Sequence, residues 1–341
     1  MHHLKPFRRA LATAAAAATL VAGLTACGGK SAATAAGGTG VPAGTATVTV
    51  GALSNGAAQQ TDLTVPVEES LRAKLPGAVR DRGELVIGVG ALPAGFPPLA
   101  YVGTDQKTLT GAEPDLGRLV AATLGLKPVV KNSTWENLFV GIDSGKVDVA
   151  FSNVTVTEER KKKYEFASYR QDNLAFEVLK DNPWNFGGDY RNLAGKTVAV
   201  ARGTNQEKIL LEWQARLRSE GKDIDVKYFP DSNSTYLALS GRKIDITFVP
   251  NPSSAYHITQ TANSGTPTRN AGQFSGAGET LQGLIAATAK KDSGLAGPVA
   301  ATINHLIQNG QYAKLLAAWN LSEEAVKTSE VNPPGLPLTN S

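Results

Sequence analysis

Two stretches of this chain nearly repeat each other. Ser144-Gly145-Lys146-Val147-Asp148-Val149-Ala150-Phe151 returns, one residue longer, as Ser240-Gly241-Arg242-Lys243-Ile244-Asp245-Ile246-Thr247-Phe248. In each copy Ser-Gly closes a helix, a basic residue follows, and an Asp enters an apolar strand. The echo is short, so coincidence is the alternative reading. It constrains the fold because each copy ends a similar run of alternating elements.

Before the first copy, Glu84-Leu85-Val86-Ile87-Gly88-Val89-Gly90 reads as a buried strand. Residues 115–125 read as a helix, with Leu116, Leu119, Val120 and Leu124 on one face, Asp115 as its cap and Gly125 as its stop. Residues 127–131 form a second strand, 135–144 a helix and 147–151 a third strand. Before the second copy the order recurs: a strand at 196–202, then Gly203-Thr204 and a helix striped by Ile209, Leu210, Trp213 and Leu217. A strand at 224–229 and a short helix at 234–239 complete it. Such alternation predicts mostly parallel α/β sheets. Two copies predict two lobes of about one hundred residues each.

The N-terminus carries an address. Lys5, Arg8 and Arg9 precede an apolar run at residues 10–24, shorter than the ~20 residues a membrane-spanning helix needs. The run ends Leu24-Thr25-Ala26-Cys27, which resembles a bacterial lipobox; Cys27 is the chain's only cysteine. The resemblance implies a signal peptide at 1–27 and an acylated Cys27 at the mature N-terminus. A plain secretory signal with a chance cysteine is the alternative. Residues 28–81 are expected to be a flexible linker, because Gly, Ala, Thr and Ser dominate their first half. The body is then tethered to the outer face of the cytoplasmic membrane, as a monomer.

Charge and composition exclude several classes. Three of the four net positive charges lie in the N-terminal segment, so the body lacks the basic field that nucleic acid requires. One cysteine permits neither an internal disulfide nor a Cys/His metal cluster. No metal and no cofactor is implied.

In α/β sheets ligands bind beyond the carboxyl ends of the strands. There stand Phe96, Trp135 with Thr134 before it, Ser152-Asn153-Val154-Thr155-Val156-Thr157-Glu158-Glu159-Arg160, Arg202-Gly203-Thr204-Asn205 and Val249-Pro250-Asn251-Pro252. These residues resemble the family 3 extracellular solute-binding proteins of polar amino acid ABC importers. The resemblance runs over about residues 82–320. Gly111-Ala112-Glu113-Pro114-Asp115-Leu116 is similar to a family signature but departs from it at Ala112 and Pro114. Residues 152–160, Leu193-Ala194-Gly195-Lys196 and Gly310-Gln311-Tyr312 are family-like as well.

The resemblance implies a two-lobed periplasmic-binding-protein type II fold, each lobe a mixed, mostly parallel sheet flanked by helices, with the ligand cleft between. Lobe 1 is expected at 82–180 plus 281–325, lobe 2 at 181–280 and a C-terminal tail at 326–341, with crossings near residues 180 and 281. It implies that Arg160 holds a ligand carboxylate, a match for its planar fork. Thr204 and Asn205 add donors at a helix N-terminus. Phe96 and Trp135 sandwich the ligand, Asn153 and Thr155 bond its polar head, and Asn251 stands near its amine. A solvated face for Arg160 and a plain core role for Trp135 are the bland alternatives.

Two departures shape the expected ligand. The family's Asp for the ligand's α-ammonium falls on Pro250, and no acid precedes Phe96 in residues 90–95. With Arg160, and less securely Arg202, the cleft is expected to lean positive and to take acidic or neutral polar amino acids or small carboxylates. Delivery to an ABC permease follows from the resemblance. The strand-end residues given a ligand role include no Asp, Glu, His, Lys or Cys, which argues against a lyase or dehydratase on this fold. A solute sensor is the remaining alternative.

Overall fold

A computed structural model describes residues 44–339. Cys27 and the rest of the signal lie outside them. The described chain begins with a hairpin, β1 (Thr45–Val50) and β2 (Thr61–Pro66), followed by two short helices, α1 (Glu69–Arg72) and α2 (Gly77–Arg82). Then come β3 (Glu84–Val89), β4 (Tyr101–Val102), β5 (Leu109–Thr110), α3 (Ala112–Thr123), β6 (Lys127–Asn132), α4 (Trp135–Asp143) and β7 (Val149–Ala150). A 16-residue strand, β8 (Tyr164–Leu179), leads into β9 (Thr197–Ala199), α5 (Asn205–Ser219), β10 (Asp225–Lys227), α6 (Ser232–Ser240), β11 (Ile246–Pro250) and α7 (Asn251–Thr261). The chain closes with β12 (Thr268–Ser275), β13 (Gly283–Lys290), α8 (Ala296–Gln308) and α9 (Gln311–Ala318).

The strand order β10-β9-β11-β8-β13-β7-β3-β6 is nearly symmetric about its centre. On each side three parallel strands meet one long antiparallel strand, β13 beside β7 and β8 beside β11. The repeat seen in the sequence is structural. Asp148 accepts the N–H of Val86 at 2.7 Å, and Asp245 accepts that of Thr197 at 2.8 Å. In both lobes the echoed Asp therefore fastens the third parallel strand to the start of the first. Lobe 1 packs around Leu85, Ile87, Leu119 and Phe151. Lobe 2 packs around Phe176, with Phe248 and Phe186 stacked on it at 4.3 Å.

Four expectations need correction. Residues 44–81 are not linker: Val48, Val50, Leu63 and Val65 on the hairpin are buried in the lobe 1 core. Asp115 does not cap its helix, which starts at Ala112 after Gly111, but lies buried within it. Its Oδ2 accepts from the Gly51 N–H at 2.8 Å and the Trp319 indole at 3.1 Å, pinning the hairpin to α3 and to the residue after α9. The tail does not hang free. Leu336 is fully buried in the lobe 2 core, and Lys208 donates to the Leu338 carbonyl at 2.9 Å. Alternating threonines and valines at residues 45–50 were the missed strand signal. Finally, β8 changes partners at Asp172–Asn173, from β13 to β12, so the outward crossing lies earlier than residue 180.

Candidate functional site

The carboxyl ends of β3, β7, β9, β10 and β11 converge on one cavity of about 420 Å3. Lobe 1 supplies the loop at residues 90–97, Trp135, Ser152 and Asn153. That loop is held by the Gly90 N–H donating to Ser152 Oγ at 2.8 Å and the Ala91 N–H donating to Asn132 Oδ1 at 3.0 Å. Lobe 2 supplies Thr204, Asn205 and Gln206 at the start of α5, together with residues from α6, β11 and α7. Thr204 caps α5, its Oγ1 accepting the Glu207 N–H.

Five expected residues line this cavity: Phe96, Trp135, Asn153, Thr204 and Asn205. Asn153 turns its backbone to φ 52°, and its Oδ1 accepts from the buried Arg170. Arg170 also pairs with the buried carboxylates of Glu113 and Glu324. Asn205 donates to Asp172 Oδ2 at 3.0 Å and to the Gly276 carbonyl at 2.9 Å.

Three expected residues stand behind the wall. Thr155 is buried and donates its hydroxyl to Asp172 Oδ2 at 2.7 Å. Asn251 donates to Glu324 at 3.3 Å and accepts from Gln273 at 2.9 Å. Arg160 lies against the rings of Trp135 and Phe139, its Cζ 5.4 and 5.5 Å from their centroids. It donates to the carbonyls of Thr155 at 2.9 Å and Gly203 at 3.1 Å. Burial lowers its pKa to about 10, so it is still charged at neutral pH. Arg160 is half-buried against the two rings, and Trp135 both lines the cavity and packs on the core cluster around Leu138 and Ile142.

The lobes touch across the cleft. Gly203, at φ 71°, presents its carbonyl to the Trp135 indole at 3.2 Å as well as to Arg160. Ser232 donates to the Gly95 carbonyl at 3.1 Å.

The wall's charge differs from expectation. No lysine or arginine is among its described residues, whereas Asp231 and His257 are. Arg202 is exposed and stacks over Tyr228, 3.8 Å from the ring centroid. The guanidiniums behind the wall are already engaged: Arg160 with backbone carbonyls, and Arg170, which reaches the wall residue Asn153, with Glu113 and Glu324. The argument that the wall has no acid or base fails. Asp231 was legible, since it follows the strand at 224–229 and precedes a helix. His257 was legible as one of two histidines in the body, one helical turn beyond Ser253.

The model of the bacterial extracellular solute-binding proteins, family 3, matches residues 87–322. The L-cystine-binding protein TcyJ of Escherichia coli (strain K12) is 34% identical over 162 residues, 47% of this chain and 56% of that relative. The chain thus spans little more than half of TcyJ. The arginine-binding protein ArgT of Corynebacterium glutamicum is 26% identical over 270 residues, 78% of this chain and 84% of the relative. Among solved structures, an ancestral arginine-binding protein bound to arginine superposes with a TM-score of 0.59 at 25% identity, over 70% of this chain and 98% of that one. The amino acid ABC transporter substrate-binding protein AbpA from Streptococcus pneumoniae, at 24% identity, shares the fold with a TM-score of 0.61 over 73% of this chain and all of that one.

Proposed function

Because this chain belongs to the bacterial extracellular solute-binding proteins, family 3, we propose that it captures a polar amino acid between its lobes and delivers it to an ABC permease. The carrying observation is the cavity enclosed by strand ends of both lobes. Its volume, about 420 Å3, lies within the roughly 300–1,000 Å3 of small-molecule sites.

In this reading the α-carboxylate meets the N-terminus of α5 at Thr204 and Asn205, where unpaired N–H groups and the helix dipole favour an anion. Arg160 stands behind Trp135 with N–H donors to spare beyond its two carbonyl partners. On ligand entry it exchanges Gly203 for the carboxylate. Phe96 and Trp135 cover the ligand's apolar part, and Asn153 faces its head. Thr155 and Asn251 hold the frame rather than the ligand. With Asp231 on the wall and no cation there, a neutral side chain fits better than an acidic one. The loop at 90–97 offers no carboxylate to a basic side chain, and Asp231 is already engaged in capping α6, accepting the Ser234 N–H at 2.8 Å. A lipid on Cys27 keeps the protein at the outer face of the membrane.

Thermal-shift measurement on the full chain with L-glutamine, L-cystine, L-glutamate and L-arginine tests this. An amino acid at one hundred times its Kd stabilises by ~2.7 kcal/mol. L-glutamine or L-cystine is expected to give the largest shift. No shift with any of them would overturn the proposal, and arginine as the tightest would overturn its account of the side chain. His257 and Asp231 keep the lyase reading testable. Amino acid recovered unchanged after long incubation, read by NMR, supports capture without turnover.

A further inference from the structure

We infer that His257, backed by Glu177 and flanked by the hydroxyls of Thr247 and Ser253, is the pole of the cleft that recognises the ligand's amine. This rests on the amino acid reading above. Position 250, where the family resemblance implies an Asp for the α-ammonium, is a proline. The cation needs an acceptor elsewhere.

Glu177 lies on β8 directly opposite Thr247 on β11, so the two side chains share a sheet face. Glu177 is fully buried, and its Oε1 meets Nδ1 of His257 at 2.5 Å. His257 stacks on Tyr236, with ring centroids 3.4 Å apart and planes 9° from parallel. A proton on Nδ1 then donates to Glu177, leaving Nε2 on the opposite edge as an acceptor.

Four buried oxygens here lack a hydrogen-bond partner among the described residues: Glu177 Oε2, Thr247 Oγ1, Ser253 Oγ and Ser254 Oγ. They gather where β8, β11 and α7 meet. Burying an unpaired polar atom is costly, and an unpaired carboxylate oxygen more so. Each of the three hydroxyls can donate as well as accept, and the Tyr236 phenol also bonds Glu177; what favours an ammonium at Nε2 is the carboxylate behind His257. Thr247, Ser253 and His257 line the cavity, so the cluster lies directly behind its wall and His257 is the edge that meets a ligand.

Charge decides between a cation and an anion. The N-terminus of α7 has no side-chain cap and would draw an anion. That pull is equivalent to roughly half a positive charge, against the full negative charge of Glu177. The carboxylate on the wall itself, Asp231, serves as the cap of α6.

Calorimetry on the full chain tests this with each of L-glutamine, L-cystine, L-glutamate and L-arginine that binds, paired with its 2-hydroxy counterpart. Wild type should prefer the amine roughly tenfold or more, as for a hydrogen bond to a charged group. Glu177→Gln, which keeps volume and polarity, should bring the preference near unity by weakening the amino acid alone. His257→Phe, which keeps the stack on Tyr236, should do the same if Glu177→Gln does not fold. Asp231→Asn should retain the preference. The inference is overturned if wild type shows none, if the folded Glu177 and His257 variants keep it, or if Asp231→Asn alone abolishes it. If no amino acid binds wild type, the parent reading fails first and this one falls with it.

Discussion

Thr155 and Asn205 donate to the same atom, Oδ2 of Asp172, at 2.7 and 3.0 Å. One belongs to lobe 1 and the other to lobe 2. Asp172 sits where β8 passes from β13 to β12, so a single buried carboxylate ties both lobes at the crossing. Two residues that the sequence offers as ligand contacts thus meet at the crossing between the lobes.

Burial pushes the Asp172 carboxyl up to about 6, while the Thr155 hydrogen bond and Arg170 pull the other way. The folded protein therefore holds this proton more tightly than the unfolded chain, which releases it near 3.8. Stability from this group is fully present below about 3.8 and lost as pH rises through about 6. The span is about two pH units, or ~3 kcal/mol at most. In Asp172→Asn that dependence should vanish, because the amide does not titrate. Urea unfolding of both proteins between pH 4 and pH 7 isolates it, since shared carboxylates cancel in the difference. A difference that stays flat across the range would refute this account.

Arg160→Ala should weaken amino acid binding by roughly 2–5 kcal/mol, the cost of truncating one side of a buried charge pair. Arg160→Lys should recover only part, because an ammonium lacks the planar fork that serves Thr155 and a carboxylate together. Calorimetry with the best-bound amino acid measures both. Normal affinity in Arg160→Ala would remove Arg160 from the site.

Leu336→Ala should destabilise by roughly 2–5 kcal/mol, the range for emptying a buried leucine position. A free tail would instead tolerate the change. Chemical unfolding reads the loss. An unchanged midpoint would mean that the tail does not pack in lobe 2.

Cys27→Ser should abolish labelling by radioactive fatty acid and move the protein from the membrane fraction to the medium. A variant that stays in the membrane fraction without label would defeat the lipobox reading.

Local pattern determined much of this protein. The echoed Asp148 and Asp245, the alternating strands and helices, and the strand-end positions of Phe96, Trp135, Asn153, Thr204 and Asn205 are short-range features, written within a few residues of where they act. The tertiary structure decided the rest, because side-chain partners come from distant segments. Arg160 turns to Gly203, 43 residues away, and Thr155 to Asp172, 17 away. Glu177 meets His257 across 80 residues. The hairpin at 45–66 looked like linker because its core lies on α3 and α9, and Leu336 looked like tail because its core belongs to lobe 2. A side chain's type fixes what it can bond, but only the fold brings the partner within reach.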